Sequence, residues 1–105
     1  MTNEEFTEHV RLHAKYDMDL GYVIVALNEE AGEIAGWFKK RELRKNESYT
    51  DLMLMQEAGD LLYYLERLCQ LKGWTLEQVM DENKVKLDER RAWAHKGEPF
   101  AEEGH

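Results

Sequence analysis

The sequence predicts an all-α protein, a small four-helix bundle that assembles into a dimer or tetramer. Apolar residues recur three and four positions apart through most of the chain, which is the spacing of one helix face. The one proline, Pro99, lies near the end, and proline is disfavoured inside helices. No segment alternates polar and apolar residues as a half-buried strand does. The 105 residues suit a single domain that covers residues 1–105.

Caps and breakers divide this domain into four helices. Thr2 with Glu5 forms a capping-box pattern that starts the first helix, and Thr75 with Gln78 starts the fourth. Gly73 is a C-terminal stop for the third helix. The predicted helices cover about residues 3–16, 22–44, 50–72 and 75–95, with a connection at 17–21. The tail at 97–105 is expected to be loose or to pack on a neighbour. Because the links are short, neighbouring helices are expected to run antiparallel.

The apolar face of each long helix is predicted from its spacing. On the second helix it contains Val23, Leu27, Ile34 and Phe38, and on the third Leu54, Ala58, Leu61, Leu65 and Leu68. The helices also carry more large apolar side chains than so small a bundle can bury, which favours self-association. These side chains are Trp37, Phe38, Met53, Met55, Tyr63, Tyr64 and Trp74.

Composition excludes several classes of partner. The formal net charge of −8 argues against nucleic acid as a general partner. No apolar stretch approaches the length of a membrane span, so no membrane partner is expected. The acidic start of the chain lacks the pattern of a secretion signal, and the single cysteine, Cys69, suits a reducing compartment. A cytoplasmic location is therefore predicted.

Two acidic clusters fall on stretches that otherwise have the pattern of buried helix faces. Glu30 and Glu33 stand three apart on the second helix, as Glu57 and Asp60 do on the third. Residues at this spacing rise from one side of a helix. If the two pairs face each other, four carboxylates surround one point, which is a site for a hard divalent cation such as Mg²⁺. The alternative is that these acids are simply solvated, as surface glutamates commonly are.

The identity of the metal is limited by the donor atoms. A di-iron bundle would require Glu-x-x-His pairs on two helices, and the predicted helices of this chain contain none. Oxygen donors alone favour Mg²⁺, or Mn²⁺, over iron and zinc. His9 and His13 stand four apart and have the spacing of a zinc pair, but interface or surface packing explains them more simply. Gly32 and Gly59 each interrupt an acidic cluster, which suggests that the backbone leaves room there.

A polar and basic stripe on the fourth helix complements the acids. Asn83, Lys86 and Arg90 lie at i, i+3 and i+7, so they share one face. A metal held by carboxylates and faced by cations suits a polyphosphate. The alternative is a salt-bridged solvent face, which we prefer for Lys84 and Arg91.

The combined pattern resembles the MazG-like nucleotide pyrophosphohydrolases of the all-α NTP pyrophosphatase superfamily. The resemblance rests on Glu-Glu-x-x-Glu at residues 29–33, Glu-x-x-Asp at 57–60 and Asn-x-x-Lys-Leu-x-x-Arg at 83–90, and covers the chain from the second helix to Phe100. After Arg90 the chain departs from the family's common Tyr-Pro. The residues that match the family's catalytic and metal-binding positions are Glu29, Glu30, Glu33, Glu57 and Asp60, of which the last four match its metal ligands. The residues that match its phosphate-binding positions are Asn83, Lys86 and Arg90.

The resemblance implies Mg²⁺-dependent hydrolysis of a nucleoside triphosphate to monophosphate and pyrophosphate, in a homodimer or homotetramer. In the expected chemistry a water attacks the α-phosphorus, and Lys86 and Arg90 stabilise charge on the phosphate chain. Glu29 is expected to orient a ligand or water, and Trp37 to stack on the base unless it serves packing. Two alternatives remain. One is a non-enzymatic helical dimerisation protein, and the other is a Mg²⁺-dependent phosphatase of another nucleotide.

Overall fold

The structure, a computed structural model, describes residues 1–15 and 18–95, with the backbone alone at His95. Its helices are α1, Asn3–His13; α2, Leu20–Phe38; α3, Asp51–Lys72; and α4, Leu76–His95. A π-helical turn, Lys39–Leu43, continues α2. Over these described residues there is no strand, so the all-α prediction is confirmed. None of the described helices is both long and apolar enough to cross a bilayer.

The chain divides into two compact units. One is Met1–Gly73 and contains α1 to α3, and the other begins at Trp74 and contains α4. The four predicted helices are therefore present, while a single domain over residues 1–105 stays a prediction. So does assembly into a dimer or tetramer. The predicted tail at 97–105 lies outside the described residues.

Both ends of α1 are set by local hydrogen bonds. The capping box is confirmed: the Thr2 hydroxyl accepts from the Glu5 N–H, and the Glu5 carboxylate accepts from the Thr2 N–H. The predicted end near Tyr16 is wrong, because Ala14 already has extended backbone angles (φ −70°, ψ 140°). Its N–H still bonds to the Val10 carbonyl, which closes the last turn at His13. Tyr16 itself lies outside the described residues.

Helix α2 begins two residues earlier than predicted. Asp19 is its N-cap, with the side-chain Oδ1 accepting from the Tyr22 N–H at 2.8 Å. This makes Leu20 and Gly21 helical, so the expected connection at 17–21 is too long. At the other end the π-helical turn carries the helix to Leu43, one residue short of the prediction.

Helices α2 and α3 form an antiparallel pair within the first unit, and α1 packs against α3. Helix α3 ends at Gly73, whose φ of +73° confirms the predicted glycine stop. The buried apolar residues of this unit are Val10, Met18, Val23, Ala26 and Cys69. Phe38, predicted both on the apolar face of α2 and among the surplus apolar side chains, is 52% exposed. Ala58 is exposed as well.

One buried carboxylate joins α1 to α3. Glu66 is 2% exposed and accepts a hydrogen bond from the Thr7 hydroxyl at 2.8 Å. Gln70, one turn further along α3, donates to the Thr7 carbonyl at 2.9 Å. Thr7 is thus held through both its side chain and its backbone, which fixes α1 against α3.

Helix α4 starts as predicted. The Thr75 hydroxyl accepts from the Gln78 N–H, and the Gln78 side chain accepts from the Thr75 N–H, which confirms the capping box. On its exposed surface Lys84 pairs with Asp88. Lys84 therefore belongs to a salt-bridged face, in agreement with its predicted surface role.

Candidate metal centre

Three carboxylates meet where α2 faces α3. Glu30 comes from α2, and Glu57 and Asp60 come from one side of α3. One carboxylate oxygen of each lies within 4.8 Å of the others. Glu30 and Glu57 are half-buried, and Asp60 is exposed. The arrangement follows from the helix period, because acids three apart on α3 project toward the same point on its antiparallel neighbour.

The charges in this group work against one another. Partial burial raises the pKa of Glu30, and the negative charges of Asp60, Glu57, Glu33 and Glu29 raise it further. Like charges and loss of solvent both disfavour the ionised carboxylate. A divalent cation placed among these oxygens would reverse that effect by attracting each of them.

Glu33 and Glu29 lie next to this group but outside it. Glu33 is one turn beyond Glu30 on α2 and is exposed, as Glu29 is. Their oxygens are not among those that gather within 4.8 Å. Both still act on Glu30 through their charge. The structure thus brings together three of the four predicted metal ligands, and the role of each remains a prediction.

The donor set fits a hard divalent ion. All three gathered groups are carboxylates, and oxygen donors suit Mg²⁺ and Mn²⁺. The nearby glycines add no support of their own. A Cβ at Gly32 or Gly59 would meet no described atom within 4 Å, so contacts of the described chain do not require glycine at either position.

A pocket of about 410 Å³ opens beside the carboxylates. Its lining comes from the end of α1, the connection to α2, and the facing sides of α2 and α3. The lining residues are His13, Lys15, Met18, Tyr22, Glu30, Asp60, Tyr63 and Tyr64. The lining therefore combines two acids, three tyrosine rings, a lysine and a histidine. Sites for small molecules are typically of this size.

Sequence reasoning missed most of this pocket. Tyr22 lies one turn before Ala26 on the stripe that continues to Glu30, so helical spacing was a usable signal for it. Tyr64 lies one turn after Asp60, on the same stripe as the predicted acids of α3. Tyr63 and Tyr64 meet edge to face at 5.1 Å between ring centroids, and burial raises the pKa of Tyr64. Lys15 precedes α2 in an irregular connection, and no periodicity predicts its place in the pocket lining.

The histidines of α1 form an aromatic contact. The rings of His9 and His13 lie 4.6 Å apart, and His13 Nδ1 is 2.9 Å from the His9 carbonyl. His9 also meets the edge of Tyr63. This agrees with ordinary packing, and the acidic trio is the group of metal-binding type found among the described residues.

Trp37 has structural partners. Its indole N–H donates to the Thr50 carbonyl at 2.9 Å, and the Arg41 guanidinium lies over its ring at 5.7 Å from the centroid. These contacts join the end of α2 to the start of α3. Stacking of Trp37 on a base stays a prediction.

The predicted phosphate-binding residues lie on α4, in the second unit. Lys86 and Arg90 are half-buried, and Asn83 is exposed. Solvent can therefore satisfy the Asn83 amide. Their relation to the substrate stays a prediction.

These observations define a class: an all-helical protein with oxygen donors for a divalent cation beside a pocket of ligand size. Residues 20–95 match the family model of the MazG nucleotide pyrophosphohydrolase domain. The chain therefore belongs to that family. The match starts with α2 and ends with α4, so α1 lies outside it although His13 lines the pocket. Comparisons with curated proteins and with solved structures returned no significant match.

Proposed function

We propose that this protein is a Mg²⁺-dependent nucleoside triphosphate pyrophosphohydrolase that converts a (d)NTP and water to (d)NMP and pyrophosphate. The observation that carries the proposal is the gathering of Glu30, Glu57 and Asp60 at a pocket, in a chain of this family. The family supplies the reaction class, and the carboxylate group supports a divalent metal. A homodimer or homotetramer in the cytoplasm remains part of the proposal.

The carboxylates would hold the metal, with Glu30, Glu57 and Asp60 as first ligands and Glu33 completing the set. Mg²⁺, or Mn²⁺ in its place, would neutralise charge on the α-phosphate and on the departing pyrophosphate. Glu29 is adjacent in sequence and would orient a ligand or the attacking water. Because oxygens of three side chains already lie within 4.8 Å, little rearrangement is needed to bind an ion.

The remaining residues would hold the substrate. The pocket next to Glu30 and Asp60 has the size for the nucleoside part, and its tyrosine rings offer stacking surfaces. Asn83, Lys86 and Arg90 would bind the phosphate chain, a role supported by the family pattern. Lys86 and Arg90 carry the positive charge that a leaving pyrophosphate requires.

A product assay tests this proposal. The protein is incubated with each of the common ribo- and deoxyribonucleoside triphosphates and Mg²⁺, and monophosphate, diphosphate, phosphate and pyrophosphate are measured. We expect monophosphate and pyrophosphate in equal amounts from at least one triphosphate. Diphosphate with free phosphate would identify a phosphatase, and no turnover of any triphosphate would favour a helical dimerisation protein.

A further inference from the structure

Two side chains, one at the end of α2 and one in the π-helical turn that follows, donate hydrogen bonds to the backbone that leads into α3. The Trp37 indole N–H donates to the Thr50 carbonyl at 2.9 Å. Arg41 Nη1 donates to the neighbouring Tyr49 carbonyl at 2.6 Å. Both donors come from α2 or its π-helical turn, and both acceptors directly precede the first residue of α3.

The two donors also hold each other. The Arg41 guanidinium lies 5.7 Å from the centroid of the Trp37 ring, a distance suited to a cation–π contact. Its Nη1 is 3.9 Å from the carboxylate of Asp51, which opens α3. We call Trp37 and Arg41, with the Tyr49 and Thr50 carbonyls, the hairpin clamp. The π-helical turn contains Arg41, and such turns are frequent at functional sites.

The hairpin clamp sets the register of α2 against α3. Glu30 precedes Trp37 by seven residues, and Glu57 follows Thr50 by seven. At a rise of about 1.5 Å per residue, equal lengths of about 10 Å lead from the clamp to each carboxylate. A slide of one helix by a turn, about 5.4 Å, would exceed the 4.8 Å within which the carboxylate oxygens now lie.

We infer that Trp37 and Arg41 are positioning residues for the metal centre: they lock the α2–α3 register that brings Glu30 to Glu57 and Asp60. This inference rests on the proposed metal site and gives Trp37 a role that base stacking does not describe. Residues that orient metal ligands without touching the metal typically change metal affinity by about 10–100-fold when they are removed. The hairpin clamp acts at longer range, so an effect of about tenfold is expected.

The test compares clamp variants with matched controls for Mg²⁺ binding, measured by titration calorimetry without nucleotide. Trp37→Phe keeps an aromatic ring but loses the N–H donor, and Arg41→Gln loses the charge and the forked donor. Each should weaken Mg²⁺ binding about tenfold. The controls Trp74→Phe, in the second unit, and Arg44→Gln, an exposed neighbour at the end of the π-helical turn, should bind as the wild type does.

The variants also separate positioning from mere stability. All titrations are run well below each variant's melting temperature, where a loss of stability alone leaves the Mg²⁺ affinity of the folded protein unchanged. Arg41→Lys, which keeps the charge and an N–H donor group but loses the planar fork, should recover part of the affinity. At saturating Mg²⁺, kcat of the clamp variants should return toward the wild-type value with KM for nucleotide little changed.

The Mg²⁺ affinities and the nucleotide KM of these variants distinguish a positioning role from base stacking. Wild-type affinity in both Trp37→Phe and Arg41→Gln overturns the positioning role, and a raised nucleotide KM confined to Trp37 variants assigns that residue to base stacking. Glu30→Gln serves as the reference for the metal site itself. If Glu30→Gln binds Mg²⁺ as well as the wild type does, or if the wild type does not bind it, the metal centre is wrong and the inference falls with it.

Discussion

Helix α3 carries acids of two different kinds, about two turns apart. Glu66 is almost fully buried and accepts a hydrogen bond from Thr7 at 2.8 Å. Glu57 and Asp60 instead gather with Glu30, whose pKa is raised by burial and by the neighbouring acids. Glu66 thus has a hydrogen-bond donor from α1. Glu30 instead lies near the like charges of Glu57 and Asp60, which disfavour its ionised form.

The difference shows how burial alone fails to identify a functional acid. A carboxylate that holds two helices together is buried and paired, and its removal harms the fold. A carboxylate of a cation-binding site lies close to other negative charges. Its removal should therefore reduce function and also reduce charge repulsion in the folded protein. Substitutions of Glu66 and Glu30 should therefore have different effects on stability and on activity.

Glu30→Gln should nearly abolish pyrophosphohydrolysis while the protein stays folded. The loss in kcat/KM should exceed about 100-fold, because removal of partners beyond the first shell already changes metal-site activity by about 10–100-fold. Steady-state kinetics with saturating Mg²⁺ measures the loss, and circular dichroism checks the fold. Turnover near the wild-type rate in a well-folded Glu30→Gln protein would remove this residue from the site.

Glu66→Ala should destabilise the protein and leave Mg²⁺ affinity unchanged. The substitution removes a buried hydrogen bond to Thr7 and leaves space in the α1–α3 contact, together worth about 2–3 kcal/mol. Urea denaturation measures the free energy of unfolding. Gln56→Ala, an exposed change on the same helix, is the control. A Glu66→Ala protein as stable as that control would contradict a structural role for this acid.

Mg²⁺ should raise the melting temperature of the wild type. A ligand that binds only the folded chain stabilises it by about 2.7 kcal/mol at a concentration 100 times its Kd. Thermal scans with and without millimolar Mg²⁺ measure the shift, which should shrink in Glu57→Gln and persist in Glu66→Gln. Equal shifts of the melting temperature in Glu57→Gln and Glu66→Gln would contradict the assignment of only Glu57 to the metal site.

Glu30 should lower the stability of the metal-free protein as pH rises toward neutrality. The effect begins at about pH 4.5, the ordinary pKa of glutamate. The pKa of Glu30 is raised in the folded state, so in this window the folded chain binds more protons than the unfolded one. The free energy of unfolding therefore falls as pH rises through the window. Urea denaturation of wild type and Glu30→Gln at both pH limits isolates this contribution. If the free energy of unfolding of the wild type rises relative to that of Glu30→Gln as pH rises, the predicted sign is wrong.

Local features of the fold could be predicted from sequence because their determinants are close in the chain. The capping boxes at Thr2 and Thr75 and the left-handed stop at Gly73 depend on residues within one turn. The end of α1 at His13 and the π-helical turn could not be predicted in this way. The second of these lies where Arg41 reaches across to Tyr49, a contact that periodicity does not reveal.

The residues of the site likewise differ in how far local spacing could predict them. The helix period predicts that Glu57 and Asp60 share a side of α3, and an antiparallel neighbour then brings Glu30 opposite. The contribution of His13 and Lys15 to the pocket required the path of the chain between α1 and α2. Glu66 was overlooked although it stands three residues before Cys69, a buried position on the same face.

Hydrolysis in oxygen-18 water tests the central claim, a metal centre that directs water to the α-phosphorus, most directly. The protein is supplied with Mg²⁺ and the triphosphate it turns over fastest, and both products are analysed by mass spectrometry. We expect one labelled oxygen in the nucleoside monophosphate and none in the pyrophosphate, with product formation lost in Glu30→Gln. Label in the pyrophosphate, or diphosphate with labelled phosphate, would contradict attack at the α-phosphorus.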